Sequence, residues 1–122
     1  MQVPDYISAM KEISRQSCPI RRATDILRDQ WSFLIMREFF LEGGKRRFQD
    51  LQSELGLSPN TLSNRLKHLE TSGMIERRFY SDHPPRAEYL LTDKGRSFAP
   101  VMEALYAWGS SQDPEPDGDV SG

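Results

Sequence analysis

Apolar residues recur every three or four positions along most of the chain, which is the spacing of amphipathic helices. This pattern predicts helices over residues 5–15, from Pro19 to about residue 27, over residues 31–41 and over residues 48–55. The stretch 31–41 is apolar on nearly all sides, so we expect its helix to lie at the buried centre of the fold.

A further helix is predicted from Ser58 onward. Ser58 is a favourable N-cap residue, and Pro59 suits the first helical turn. Leu62, Leu66 and Leu69 follow at intervals of four and three, so they form a core stripe. Together with the helix over residues 48–55, this segment predicts two helices joined by a tight turn.

The segment after this helix predicts a small β-hairpin. Residues 74–80 and 87–91 have strand-like patterns, and the polar turn between them contains two prolines. Thr92 then predicts the N-cap of a last helix, over residues 93 to about 110. Helix, helix, hairpin, helix is the order of a winged helix-turn-helix, so we expect a mainly α fold with a small β-hairpin.

The charge distribution divides the chain into two parts. The net charge is −2, from 16 basic and 18 acidic residues. Residues 113–122 contain four of the acids and no base, which leaves 16 bases against 14 acids. We therefore expect a folded domain over residues 1–112 and a disordered acidic tail over residues 113–122. Between residues 45 and 86 the balance is eight bases against five acids, so positive charge concentrates around the predicted helix-turn-helix.

Several classes of protein are disfavoured by the sequence. The longest apolar run, residues 33–36, is too short to span a membrane, and no secretory signal is evident, so we expect a cytoplasmic protein. One cysteine, Cys18, cannot form an internal disulfide. His68 and His83 have no cysteine or carboxylate neighbours at metal-ligand spacing, and no phosphate-binding glycine loop or nucleophile motif is present. We therefore expect no metal, no cofactor and no enzymatic activity.

The face of the 59–71 helix opposite its leucines carries small polar and basic side chains. Such side chains suit the edges of DNA bases, since asparagine can bond adenine with both ends of its amide and serine or threonine can serve several bases. Lysine and arginine can add phosphate or guanine contacts. The candidate DNA-binding residues are Ser58, Asn60, Thr61, Ser63, Asn64, Arg65, Lys67 and His68 on this helix, Arg46 and Arg47 before the preceding helix, and Arg86 in the hairpin turn. The alternative for each is a solvated surface.

The chain resembles the HxlR-type winged helix-turn-helix regulators, which are relatives of the MarR class. The resemblance runs from about Cys18 to Trp108, in order and at consistent spacing. Its matching pieces are Cys18-Pro19, Trp31, RFQDL at residues 47–51, LGLSPNTLSNRLKHLETSGMIERR at residues 55–78, HPPRAEYLLTDKG at residues 83–95, and Trp108.

The resemblance implies a homodimeric, sequence-specific transcriptional regulator that binds double-stranded DNA. We expect a repressor, and an activator is the alternative. The N- and C-terminal helices would form the dimer interface, and each subunit would place residues 59–71 in a major groove. A two-fold axis would then require an inverted-repeat operator with half-sites roughly 34–36 Å apart or a multiple of this distance. The apolar stripes of both terminal helices agree with this interface, although they would also serve to close a monomer core.

Two kinds of input signal are open from the sequence. Cys18 lies at a predicted helix N-terminus near Arg21 and Arg22, and both features favour the reactive thiolate. Some regulators of the family sense oxidants or quinones through a cysteine in this region, whereas a structural cysteine is the alternative. The second candidate input is a small apolar effector, which would bind near the dimer interface in a pocket lined by Trp31, Phe33, Phe40, Tyr106 and Trp108. The alternative is that these aromatic side chains belong to the core.

One other class of function is compatible with the predicted fold. A winged helix can also act as a protein-interaction module. Such a module would present an apolar or acidic face in place of the polar and basic one on residues 59–71. The sequence therefore favours DNA as the partner.

Overall fold

The computed structural model describes residues 5–82 and 85–112. In these ranges the chain forms α1 (Asp5–Glu12), a 3-10 turn (Arg15–Ser17), α2 (Pro19–Ile26), α3 (Gln30–Leu41), β1 (Lys45–Arg46), α4 (Phe48–Leu55), α5 (Pro59–Thr71), β2 (Ile75–Asp82), β3 (Pro85–Leu91), α6 (Asp93–Arg96) and α7 (Ala99–Ser110). This order confirms the predicted winged helix-turn-helix, with α4 and α5 as the helix pair and β2–β3 as the wing. The predicted tail, residues 113–122, lies outside the described residues.

The core is built on α3. Ile35, Met36 and Phe39 on this helix are completely buried, as its nearly uniform apolar pattern predicts. The three leucines of α5 pack into the same cluster. Each fully buried side chain of this size contributes about 1.5–3 kcal/mol, so this contact fixes α5 on α3.

The turn between α4 and α5 follows from local sequence signals. Gly56 ends α4 in the left-handed region, at φ 65°, and its N–H donates to the carbonyl of Gln52. The hydroxyl of Ser58 caps α5 by accepting from the N–H of Thr61 at 3.2 Å, and Pro59 occupies the first turn. These contacts confirm the predicted start of α5.

A three-stranded sheet carries the wing, in the order β1-β3-β2. β2 and β3 are antiparallel, but their register shifts between Phe79 and Ser81: Phe79 pairs with Ala87 and Ser81 with Arg86. Tyr80 is therefore the extra residue of a β-bulge. The two-residue strand β1, which pairs with β3, is absent from the sequence-based prediction because it is too short to produce a periodic pattern.

The prediction of one helix from residue 93 to 110 is wrong. α6 ends at Arg96, and α7 begins at Ala99 with Pro100 in its first turn. Pro100 has no N–H to donate to the carbonyl four residues earlier, that of Arg96, and its ring would clash with that carbonyl, so a continuous helix ends at Arg96. α6 lies close to the sheet, since a Cβ on Gly95 would overlap the carbonyl oxygen of Met74.

The terminal helices leave apolar side chains uncovered. Neither α1 nor α7 contains a buried residue. On α7, Tyr106 is 79% exposed and Trp108 is 68% exposed, whereas Met102 packs against the core. Within the described part of the chain, no helix has the length and apolarity to cross a membrane.

Candidate nucleic-acid interface

The outer face of α5 is open to solvent. Asn60, Ser63, Asn64 and Lys67 are all exposed, and they lie opposite the buried leucines. Because the buried leucines fix the position of α5, the amide, hydroxyl and amine groups on its opposite side project from a helix of fixed orientation. The N-cap Ser58, also a predicted contact, is exposed at the start of this face.

One side of α5 carries Arg65 and His68, and both side chains contact other helices of the same chain. Arg65 donates to the Oδ2 atom of Asp29 from Nε at 2.8 Å, and its Nη2 lies 2.6 Å from the same oxygen. The His68 Nε2 atom lies 2.7 Å from the carbonyl oxygen of Asp25. These two predicted DNA contacts therefore join α5 to the end of α2 and the start of α3.

Asp29 has a double role in this tie. Its carboxylate caps α3 by accepting from the N–H of Ser32 at 3.2 Å, and it also accepts from Arg65. The hydrogen bond from Arg65 is the main reason that the pKa of Asp29 lies below its ordinary value. The charged form of Asp29 is thus the one that connects α3 with α5.

Thr61 lies on the same side of α5 and is half-buried. Its Oγ1 atom accepts a hydrogen bond from the Ser58 hydroxyl at 3.1 Å. Thr61 is therefore part of the cap of α5 as well as a neighbour of its exposed face.

The prediction that Arg46 contacts phosphate is contradicted by its position. The side chains of Arg46 and Glu38 are each only 7% exposed, and Arg46 Nη1 donates to Glu38 Oε1 at 2.8 Å. Arg46 also donates to the main-chain carbonyl of Glu38 at 3.3 Å. The pairing of β1 with β3 turns Arg46 inward, between the exposed residues Lys45 and Arg47.

Glu38 stays charged in this buried place because two arginines surround it. Burial raises the pKa of Glu38, but hydrogen bonds from Arg46 and Arg37 outweigh the burial and hold the pKa below its ordinary value. The ion pair therefore attaches β1, and through it the wing, to α3.

Arg47 and Arg86 meet in one cleft between the start of α4 and the wing. The cleft has a volume of about 240 Å³ and is lined by Arg47, Phe48, Gln49, Tyr80, Arg86 and Ala87. The guanidinium carbon of Arg47 lies 5.1 Å from the centroid of the Tyr80 ring. Sequence analysis missed Tyr80, since a bulge in a strand leaves no periodic signal.

The base of the wing offers less free charge. Arg78 pairs with Glu76 at 3.1 Å, and Arg77 lies 3.9 Å from Glu70. His83, which belongs to the predicted hairpin turn, lies outside the described residues.

Cys18 is a half-buried free cysteine at the N-cap of α2. It lines a shallow groove of about 500 Å³ together with Met10, Arg15, Arg21 and Asp25 among others. Asp25 is also the residue whose carbonyl lies against His68. One short helix therefore carries Cys18 at its start and a contact to α5 near its end.

The predicted aromatic pocket does not form as a set. Trp31 and Phe33 are partly buried against the core, and Trp108 is exposed. An apolar groove of about 560 Å³ lies between α3 and α7 instead, and its lining includes Phe40 and Tyr106 from the predicted set.

The comparisons with known proteins agree with this architecture. Residues 26–117 match the model of the HxlR-like helix-turn-helix family. An HTH-type transcriptional regulator of Synechocystis is 45% identical over 93 residues, which are 76% of this chain and 68% of that one. A second, from Mycobacterium tuberculosis, is 39% identical over 99 residues, 81% of this chain and 61% of that one. The chain thus spans about two thirds of the length of these relatives.

Among solved structures, the redox regulator HypR in its oxidized form superposes with a TM-score of 0.72 at 28% identity. The match covers 80% of this chain and 99% of that one. The described fold is therefore similar to that of HypR over nearly the whole length of HypR.

Proposed function

The chain belongs to the HxlR-like helix-turn-helix family, and we propose that it acts as a transcriptional repressor that binds an inverted-repeat operator as a homodimer. The observation that carries this proposal is the exposed face of α5. Asn60, Ser63, Asn64 and Lys67 offer donors and acceptors to base edges from a helix whose opposite side is fixed in the core.

The dimer is supported by the uncovered apolar side chains of the terminal helices. Exposed apolar groups of this size favour burial against a partner, and a second copy has the same surface to offer. A two-fold axis would then repeat α5 at a fixed spacing, which is the geometry that an inverted repeat requires. Light scattering on the purified chain tests the dimer, and Leu105→Glu on α7, which is 43% exposed, is expected to yield monomers.

An unbiased selection of duplexes by the purified protein tests the operator. We expect an enriched inverted repeat, bound with an affinity that falls steeply with salt because phosphate contacts release counterions. Placement of that repeat over a promoter, followed by a reporter assay with and without the protein, tests repression. No enriched sequence, together with salt-insensitive binding to a protein partner, would favour the interaction module.

Thiol sensing is the proposed input, supported by the resemblance to the redox regulator HypR and by the place of Cys18. Two Cys18 thiols of a dimer would lose two protons and two electrons to diamide, which becomes a hydrazine as the disulfide forms. A quinone would instead add to one thiolate through carbon. Either reaction changes the start of α2, the helix whose Asp25 carbonyl lies 2.7 Å from His68 of α5.

A gel shift tests this input. The selected duplex is incubated with protein that is first reduced and then treated with diamide or quinone, with Cys18→Ser alongside. If diamide or quinone abolishes DNA binding by the parent protein but not by Cys18→Ser, the result supports thiol sensing. Binding that is indifferent to both reagents would direct attention to an apolar effector in the groove between α3 and α7.

A further inference from the structure

We propose that Arg47, Arg86 and Tyr80 form one phosphate-binding site, in which Tyr80 positions Arg47 so that the wing and α4 hold the same phosphate of the DNA backbone. This inference rests on the proposed DNA-binding function and deepens it. From their positions in the sequence, Arg47 and Arg86 are expected to be separate contacts, and Tyr80 has no expected role.

The β-bulge explains how a wing residue reaches the start of α4. Phe79 pairs with Ala87 and Ser81 pairs with Arg86, so Tyr80 has no residue opposite it. A bulge bends its strand and re-aims a side chain. The Tyr80 ring lies under the guanidinium group of Arg47, with 5.1 Å between the ring centroid and Cζ.

The chemistry of the cleft suits an anion. Two guanidinium groups and the amide of Gln49 line it, and none of the described side chains that line it is a carboxylate. Asp50, the acid in the first turn of α4, lines a different cleft. Arg47 is the N-cap of α4 and makes no side-chain cap bond, so the free N–H groups of the first turn add to the positive potential.

Stacking leaves the hydrogen-bonding edge of Arg47 available. A guanidinium group contacts an aromatic ring through its face, whereas its N–H groups point outward in its plane and match the oxygens of a phosphate. Because the side chain of arginine loses rotamer freedom on binding, a ring that holds it in place reduces the entropy lost when a phosphate binds. From the strength of exposed cation–π contacts, loss of the Tyr80 ring should weaken DNA binding roughly two- to fivefold.

Salt titrations of the full chain on a random-sequence duplex and on the selected operator test the shared site. The variants are Arg47→Ala, Arg86→Ala and their double, with Arg78→Ala as control, since Arg78 lies on the wing in an exposed pair with Glu76. The slope of log K against log salt is negative. Each single variant should reduce its magnitude by about one, equally on both duplexes. The double variant should reduce the magnitude by about one in total, because one phosphate is lost.

The role of Tyr80 is tested by Tyr80→Phe and Tyr80→Leu. Tyr80→Phe should bind as the parent does, whereas Tyr80→Leu should show the two- to fivefold loss. Tyr80→Leu should cause no additional loss in the Arg47→Ala background. Unchanged melting temperatures would separate this effect from a change in the wing itself.

Each of the following results would overturn the inference. A double variant whose slope falls in magnitude by about two, the sum of the two single changes, would assign separate phosphates to Arg47 and Arg86. Equal losses for Tyr80→Phe and Tyr80→Leu would make the phenol a direct contact, and losses additive with Arg47→Ala would show that Tyr80 does not act through Arg47. If inorganic phosphate raises the melting temperature only when both arginines are present, while the DNA slopes stay unchanged, the cleft binds free phosphate. If the parent binds DNA and all variants bind alike, only this site is refuted; if the parent binds no duplex at all, the proposed function itself fails.

Discussion

Replacing Arg46 with methionine should strongly destabilise the protein. Methionine keeps most of the length of the side chain but removes its charge and its donors. The structure then retains a buried Glu38 carboxylate whose Oε1 atom has lost its partner at 2.8 Å and whose carbonyl has lost a donor at 3.3 Å. Arg37, which is 46% exposed, still donates to Oε2 at 3.0 Å.

The magnitude follows from the burial of this pair. Removal of one partner of a buried ion pair costs about 3–5 kcal/mol, because the remaining charge is uncompensated. The contact with Arg37 and the option of protonating Glu38 place the expected loss near the lower end, at about 3 kcal/mol. For a chain of this length, that loss lowers the melting temperature by on the order of 10 °C.

The loss should also depend on pH. In the parent, the pKa of Glu38 lies below its ordinary value of 4.5, so its contribution to stability is present above that value and is lost as pH falls through the folded pKa. Without Arg46, burial would dominate and raise the pKa of Glu38. The folded variant would then favour the protonated carboxyl, so the deficit should be smaller near pH 5 than near pH 7.

Urea unfolding measures the loss of stability in Arg46→Met. The protein concentration is held constant, because dimer formation would make the measured stability depend on concentration. Arg78→Met is the matched control, because its pair with Glu76 is exposed, and it should cost less than about 1 kcal/mol. The double variant Arg46→Met with Glu38→Leu should recover most of the loss, since no buried charge remains. If Arg46→Met costs no more than the control, the buried pair does not hold β1 on α3 and the argument fails.

Three further predictions concern other parts of the chain. Gly95→Ala should destabilise by about 3 kcal/mol because the new Cβ overlaps a main-chain carbonyl, whereas Gly109→Ala in open space should be neutral or stabilising by up to about 1 kcal/mol; equal urea midpoints would refute the close approach. Asn64→Ala should weaken operator binding by about 1–3 kcal/mol, with little effect on a random duplex and none on the dimer; unchanged discrimination in a gel shift would remove Asn64 from the readout. Arg65 holds the pKa of Asp29 below its ordinary value of 3.8, so this stability is lost as pH falls below that value, and Asp29→Asn should flatten the acid limb of melting temperature against pH; an unaltered limb would contradict the role of this pair.

The parts of the fold that sequence predicted well are those whose signals lie within one helix. Ser58 caps α5 and Pro59 opens it because their effects act on the next three residues. The leucine spacing placed the core stripe, and Gly56 ends α4 in the left-handed region, which glycine adopts without strain. The exposed side of α5 followed from the same geometry.

The features that sequence missed depend on partners far along the chain. Arg46 is buried because β1 pairs with β3, more than 40 residues later, and a two-residue strand has no pattern of its own. Tyr80 meets Arg47 only through a bulge, which exists relative to the opposite strand. Arg65 lies beside the exposed side of α5 that is proposed to face DNA, and whether Arg65 turns outward or inward depends on the position of Asp29.

Under the proposed function, the outer face of α5 would set the affinity for DNA, and the side of α5 that carries Arg65 and His68 would serve the control of DNA binding. Asn64 and Lys67 face outward, so changes there should alter DNA binding in reduced and oxidised protein alike. His68 does not lie on this outer face. Its contact with Asp25 links α5 to α2, whose N-cap is Cys18. If the proposed thiol input reaches DNA through this contact, His68→Ala should leave the salt slope near that of the parent and weaken the response to diamide. A full diamide response in His68→Ala would mean that the signal passes through the dimer interface instead of through α2.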